Sequence, residues 1–321
     1  MPAKHEKGTD AKMERRYCPE GTLLDTPQNQ AAIRSPEGLA EAALSGQILE
    51  ARAVLCDSDH NLHVDLPCME GVIPHADGAL GIAEGTTRDI ALISRVSKPV
   101  CFTVQGFETL PDGRRRAVLS RREAQRRCRR EYLAALRCGD IVQARVTRLE
   151  TFGAFCDIGC GLPALLPIAS LSVSRISHPR DRLTAGQDVL CVVSSLENGR
   201  ICLSQRELLG TWEQNTALFA QGETVAGIVR SVESYGVFVE LTPNLAGLAE
   251  PHEGVQIGQH AGVYIKSILP EKLKIKLIII DAQFVPGPPP PPHYFITEGH
   301  LSHWEYSPTH CDKRIFSVFG P

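Results

Sequence analysis

Apolar and polar residues alternate with a period close to two through the middle of the chain. Val142, Ala144, Val146 and Leu149 alternate with Gln143, Arg145 and Thr147, the pattern of a half-buried β-strand. A second strand is predicted over 152–158 and a third over 164–168. A long polar connection, 170–187, precedes a strand at 189–194, and the turn Glu197, Asn198, Gly199 leads into a last one at 200–204. Five short strands at turn-signal spacing describe a small closed barrel better than an open sheet. The same plan recurs downstream. There the connection 250–259 leads to a strand at 262–268 and the last strand covers 273–280, where Lys272, Lys274 and Lys276 alternate with Leu273, Ile275 and Leu277 and share one face. A divergent copy lies upstream, with strands in 46–54, 62–66, 71–73, 99–105 and 116–123.

The alternation carries a repeated phrase. Gly139, Val142, Ala144 and Val146 lead to Phe152, Gly153, Ala154 and Phe155, and Gly222, Val225, Gly227 and Val229 lead to Tyr235, Gly236, Val237 and Phe238. In both copies the first aromatic falls thirteen residues after the opening Gly and the second three further on. The closing phrase from Arg116 to Glu123 matches that from Arg200 to Glu207, so the modules number three. The first has His60 and His63 at the aromatic positions and is expected to have lost a stacking role. Aromatics three apart point to opposite faces of a straight strand, so a shared surface needs the bend that Gly153 and Gly236 supply. Such a surface stacks bases; the competing assignment places Phe155 and Phe238 in the barrel cores.

Charge sharpens this picture. The net charge of the 321 residues is only -3, yet 114–148 carries +9 and 46–113 carries -6. Nine Arg stand between Arg114 and Arg130 against the single acid Glu123, and the later part lacks Gly and Pro, so a cationic linker helix is predicted. It is read either as a contact for backbone phosphates or as a solvated helix whose Arg stems cover apolar surface.

With these phrases in hand the chain resembles the bacterial ribosomal protein S1 family of tandem RNA-binding OB repeats, over about 46–281. The shared elements are the Gly-x-x-Val-x-Ala/Gly-x-Val opening, the Phe/Tyr-Gly-x-Phe strand and the closing Gly-Arg-Ile-x-Leu-Ser; the stretch from Trp212 to Phe219 looks like that family's inter-repeat helix. The resemblance implies an all-β chain of three five-stranded OB-fold barrels joined by short helices. The expected division is an N-terminal extension (1–45, mostly irregular with one short helix started by Ser35 and Pro36), a divergent barrel (46–123), an Arg-rich helix (124–137), a barrel (138–210), a linker helix (211–221), a barrel (222–281) and a Pro-rich, aromatic tail (282–321). It implies stacking on Phe152 with Phe155 and on Tyr235 with Phe238, and basic last-strand residues at Arg200, Lys274 and Arg116. Arg145, Arg148, Arg230 and Lys266 complete the candidate RNA-binding set, with ordinary solvated charge as the alternative. The family's third-strand His is absent: its position holds Pro74, Pro167 and Glu250, which removes a base contact and places a repelling carboxylate in the third module.

The expected function is therefore to hold single-stranded mRNA on the small ribosomal subunit during translation, with the second and third modules on RNA and the acidic first module on protein. The alternatives are an off-ribosome RNA-binding regulator of transcription or RNA decay, and a protein-interaction chain whose barrels no longer bind RNA. No phosphate-binding loop, His-Glu-x-x-His or Gly-x-Ser-x-Gly occurs, and the barrels use nearly all the ordered length, so no enzyme activity, cofactor or small-molecule substrate is expected. His300, His303, His310 and Cys311 complete no metal spacing. The 11 Cys, without a C-x-x-C pair, read as reduced thiols, and no apolar run reaches the roughly 20 residues of a membrane span; a cytoplasmic protein is expected. The tail, with Tyr294, Phe295, Trp304, Tyr306 and Phe319, is too apolar to stay free and is expected to fold onto the third module or a partner.

Overall fold

In the computed structural model, residues 17–197 and 199–320 are described. The first sixteen residues and Asn198 of the predicted turn lie outside them. The alternation folds as strands. In the first module β1 (Leu49–Cys56), β2 (Leu62–Leu66), β3 (Met69–Ile73), β4 (Pro99–Thr109) and β5 (Arg115–Ser120) close into a barrel of order β1-β2-β3-β5-β4. The one parallel pairing joins β3 to β5, with Gly71 opposite Ala117. β6 (Ile141–Glu150), β7 (Gly153–Asp157), β8 (Pro163–Pro167), β9 (Asp188–Glu197) and β10 (Arg200–Ser204) form the second barrel in the same order, and β11 (Thr224–Glu233), β12 (Gly236–Thr242), β13 (Leu245–Ala249), β14 (His260–Leu269) and β15 (Lys274–Gln283) the third. The fold is all-β, with three OB-type barrels.

The period of two decides what each strand buries. Along β15, Ile275, Leu277 and Ile279 fill the barrel while Lys274, Lys276 and Ile278 face out. Each such buried aliphatic side chain contributes about 1.5–3 kcal/mol. The register of the first strand slips at matching places in two barrels, between Ala53 and Leu55 and between Val229 and Ser231, a bulge that turns the strand around the barrel. Lys272 does not share the lysine face: it ends a 3-10 turn, Pro270–Lys272, and Leu273 takes a left-handed backbone (φ 50°), so the strand starts one residue later.

The chain divides into two compact units. One takes Met1–Leu136 with Asp157–Leu162, the other Arg137–Cys156 with Pro163–Pro321. In the first, the extension holds two helices rather than one, α1 (Pro27–Ile33), capped by Thr26, and α2 (Pro36–Ser45), capped by Ser35. α3 (Ile90–Ile93) follows in the long β3–β4 connection. The cationic helix, α4 (Arg121–Glu131), starts at its cap Ser120 and so begins and ends earlier than the composition indicated. Half of its six arginines make contacts elsewhere in the unit, while Arg126, Arg129 and Arg130 are exposed. Arg121, 3% exposed, pairs with Glu20 at 2.6 Å, Arg127 donates to the Gly46 carbonyl, and Arg122 meets Glu84 at 3.1 Å.

In the second unit a short helix, α5 (Trp212–Thr216), precedes the third barrel, and the tail folds back onto both barrels. Tyr294 accepts from Gln205 Nε2 at 2.7 Å and from the Leu190 main chain at 3.1 Å, and burial pushes its phenol up to about 12. Ile141 and Leu301 exchange main-chain bonds with Gly299 and Gly139. Trp304 and Tyr306 join the core of the third barrel, and β16 (His303–Glu305) pairs with β17 (Phe316–Val318). Pro289, Pro290, Pro291 and Pro292 of the spacer wall a cavity of about 160 Å³.

Candidate nucleic-acid interface

Phe152 sits in the turn between β6 and β7, and Phe155 points outward from β7 while Ala154 and Cys156 fill the barrel. Gly153 makes the turn possible: a Cβ there would come within 2.5 Å of the Leu166 carbonyl oxygen. The two rings meet edge to face, 6.0 Å apart at 89°, within the range favoured by aromatic quadrupoles. The outer ring, Phe152, is 53% exposed. Arg148 holds its guanidinium 5.4 Å from the Phe155 centroid and pairs with Glu150 at 2.6 Å.

The third barrel repeats the arrangement. Tyr235, 64% exposed, stands edge to face with Phe238 at 6.3 Å and 87°, and a Cβ on Gly236 would reach within 2.4 Å of the Ala249 carbonyl oxygen. Strand register extends the surface from Phe238 across Leu248 to Lys276. Lys276 is therefore the lysine in line with the aromatic pair, a position that alternation alone does not separate from Lys274. The corresponding row of the middle barrel ends on Leu165 and Cys202, with no cation.

The basic candidates divide sharply by what they touch. Arg145 forms a fork on Asp188, at 2.6 and 2.9 Å. Arg230, its side chain 11% exposed, grips Glu240 at 2.9 and 3.0 Å from one side while Arg182 holds the same carboxylate at 2.7 and 2.8 Å from another. Lys266 lies 3.8 Å from Glu250, whose side chain is exposed at the family's missing His position. Arg116 is engaged by Glu108, with Glu70 at 4.0 Å. Among the described residues no ion pair involves Arg200, Lys274 or Lys276, all on strands that line the barrel exterior. In the first barrel both ring nitrogens of His63 are occupied, by Asp57 and Glu70 at 3.1 Å each, so this ring has no free polar edge. In the tail, His300 pairs with Asp140 at 2.7 Å whereas His303 stacks on Phe316.

A model of the S1 RNA binding domain matches residues 136–205, the segment that folds as the middle barrel. The middle barrel is therefore similar to the S1 RNA binding domain, and the other two barrels share its strand order. Small ribosomal subunit protein bS1 homolog of Bacillus subtilis is 32% identical to it over 185 residues, 53% of this chain and 48% of that protein. Small ribosomal subunit protein bS1 of Streptococcus pneumoniae is 28% identical over 231 residues, 65% of this chain and 57% of that protein. The chain thus spans about half the length of the curated relatives it matches. Among solved structures, a multidomain protein with nucleic acid binding domains from Streptococcus pneumoniae overlaps 74% of each chain at 14% identity, with a TM-score of 0.25 that carries no argument. Among the described residues no helix is long and apolar enough to cross a membrane.

Proposed function

We propose that this chain binds single-stranded RNA on its second and third barrels and holds mRNA at the small ribosomal subunit during translation. The observation that carries the proposal is the matched pair of exposed edge-to-face aromatics, Phe152 with Phe155 and Tyr235 with Phe238. In each, the inner ring fixes the outer one and leaves a face for a base, a contact worth about 1–3 kcal/mol per base and tolerant of sequence. The match of the middle barrel to an RNA binding domain supports the ligand, and the names of the bS1 relatives support the setting, which is cytoplasmic. The first barrel, without the aromatics and acidic in sequence, is assigned to protein contact, and no catalytic step is assigned to any barrel.

Titration of an unstructured RNA decides the matter. Replacing Phe152 and Phe155, or Tyr235 and Phe238, by Ala is expected to weaken binding between about 5- and 150-fold per pair. Unchanged affinity in the fourfold variant refutes RNA stacking. With about three candidate cations that make no ion pair among the described residues, Arg200, Lys274 and Lys276, the log-log salt slope is expected near -2 for a single strand. A second reading, barrels devoted to protein contacts, draws on the carboxylates that occupy Arg145, Arg230 and Lys266; it requires a flat slope. Co-sedimentation of the wild-type chain with small subunits tests the ribosomal setting, and a chain that stays wholly free at moderate salt removes it.

A further inference from the structure

We propose that His60, His75 and Asp89 of the first barrel form a binding site for a divalent transition-metal ion of the zinc class. One ligand atom from each lies within 4.8 Å of the other two. Donors bound to zinc at about 2.0–2.2 Å stand a little over 3 Å apart, so rotation of three surface side chains closes the set. Two imidazoles and one carboxylate suit zinc and its first-row neighbours; magnesium and calcium prefer all-oxygen sets.

The backbone beneath these side chains is built to present them. His60 occupies the β1–β2 turn with a left-handed backbone, φ 61°, which Gly, Asn, Asp and His adopt more readily than other residues. Asp57 holds the turn closed: its Oδ1 accepts from the main chain of Asp59 at 3.0 Å and of Asn61 at 2.9 Å, and its carbonyl accepts from His60 at 3.0 Å. Asn61 also places the second ligand, because its Oδ1 accepts from the His75 main chain at 2.9 Å. Asp89 stands just before α3 and meets His75 Nε2 at 2.7 Å, and the two imidazole rings lie 5.8 Å apart. A His75–Asp89 ion pair accounts for two members of this group and the hairpin turn for the backbone of His60, but neither accounts for a third ligand atom within reach of the other two. A bound ion accounts for all three and joins the β1–β2 turn to the connection between β3 and β4. His60 stands at the position that carries Phe152 and Tyr235 in the other barrels, so the first module has a ligand set where the others have a stacking edge.

The test uses the full chain, stripped with chelator, kept reduced and titrated calorimetrically with zinc alone. Two variants serve. His60→Asn removes an imidazole with a residue that tolerates the left-handed backbone, and Asp89→Asn keeps a hydrogen-bonding partner for His75. Each is expected to lose one bound equivalent or to weaken it by more than the 10–100-fold that loss of an outer-shell partner costs. Because the chain holds 11 Cys, cobalt serves as a spectroscopic probe, and the equivalent lost in the variants must show no thiolate charge-transfer band. Zinc is also expected to slow tryptic cleavage after Arg88 in the wild type alone. Equal stoichiometry and affinity in all three proteins, or a lost equivalent that carries the thiolate band, overturns the site; equal cleavage with and without zinc overturns the joining of turn and connection.

Discussion

Glu50→Gln is expected to stabilise the first unit at alkaline pH and to flatten its pH profile. Glu50 is fully buried on β1, where its Oε2 accepts from the main chain of Gly21 at 3.0 Å and Leu23 at 2.9 Å, and its Oε1 has no partner. Burial, reinforced by the charge of Glu20, pushes its carboxyl up to about 8, against the pull of those two donors. An unfolded Glu titrates near 4.3. Between that value and about 8 the folded chain keeps a proton that the unfolded chain has lost. The resulting stability is fully present below the unfolded value, declines through this window and is gone above it. At about 1.4 kcal/mol per unit, the decline amounts to something on the order of 3–5 kcal/mol. Asp157, raised to about 7 by burial and then by Glu20, slopes the same way. Glu20 runs opposite: burial raises it, but Arg121 and Arg95 outweigh burial and hold it below its ordinary value, so its contribution is lost only in acid. In the Gln variant the amide nitrogen takes the place of the unpartnered oxygen and nothing titrates. Both tryptophans, Trp212 and Trp304, lie in the second unit, so their fluorescence reports that unit while far-ultraviolet circular dichroism reports both. In urea at pH 6 and 8.5, the dichroism transition without a fluorescence counterpart should move to lower urea at the higher pH in the wild type. A wild-type transition that moves upward, or a variant with the same pH difference, refutes the assignment.

Further outcomes follow from single contacts. Gly153→Ala drives a Cβ against the Leu166 carbonyl and should cost about 1–3 kcal/mol in urea melts while also weakening RNA binding, because the same turn aims Phe152. Tyr306→Phe deletes the hydroxyl that donates to the buried Asn244 carbonyl; a loss of about 1–3 kcal/mol is expected in tryptophan-monitored urea melts. Lys276→Ala should lower RNA affinity and make the salt slope shallower by about 0.7 without changing the melt. Arg230→Ala should do the reverse, lowering the melting temperature by removing one of two arginines on buried Glu240 and leaving the salt slope in place.

The barrels were legible because a strand's inward and outward faces differ by a single step, so Val142, Ala144 and Val146, or Ile275, Leu277 and Ile279, declare the core directly. The aromatic edges were legible for a related reason: Gly153 and Gly236 stand where any side chain would strike a carbonyl of the neighbouring strand. Alternation says which face a charge takes and nothing about what stands across from it. Arg145 and Arg230 look as available as Lys274 in sequence, yet Asp188 and Glu240 reach them from paired strands. Register separates Lys276 from Lys274 in the same way, through pairing with Leu248. The metal-ligand set was hidden for a third reason, since His60, His75 and Asp89 come from a turn, a 3-10 turn and a helix start that no periodicity links.

The returning tail gives synthesis of this chain a direction. The opening strand of the middle barrel borrows a main-chain acceptor from Gly299, and the third barrel's core takes in Trp304 and Tyr306. Neither barrel has its full set of contacts until residues 294–319 have been made, after its own strands. During elongation the second unit must wait as an incomplete intermediate, while the first already has nearly all of its chain. A stop codon placed just after β15 would thus leave all fifteen barrel strands in place and still strand the second unit in that unfinished state.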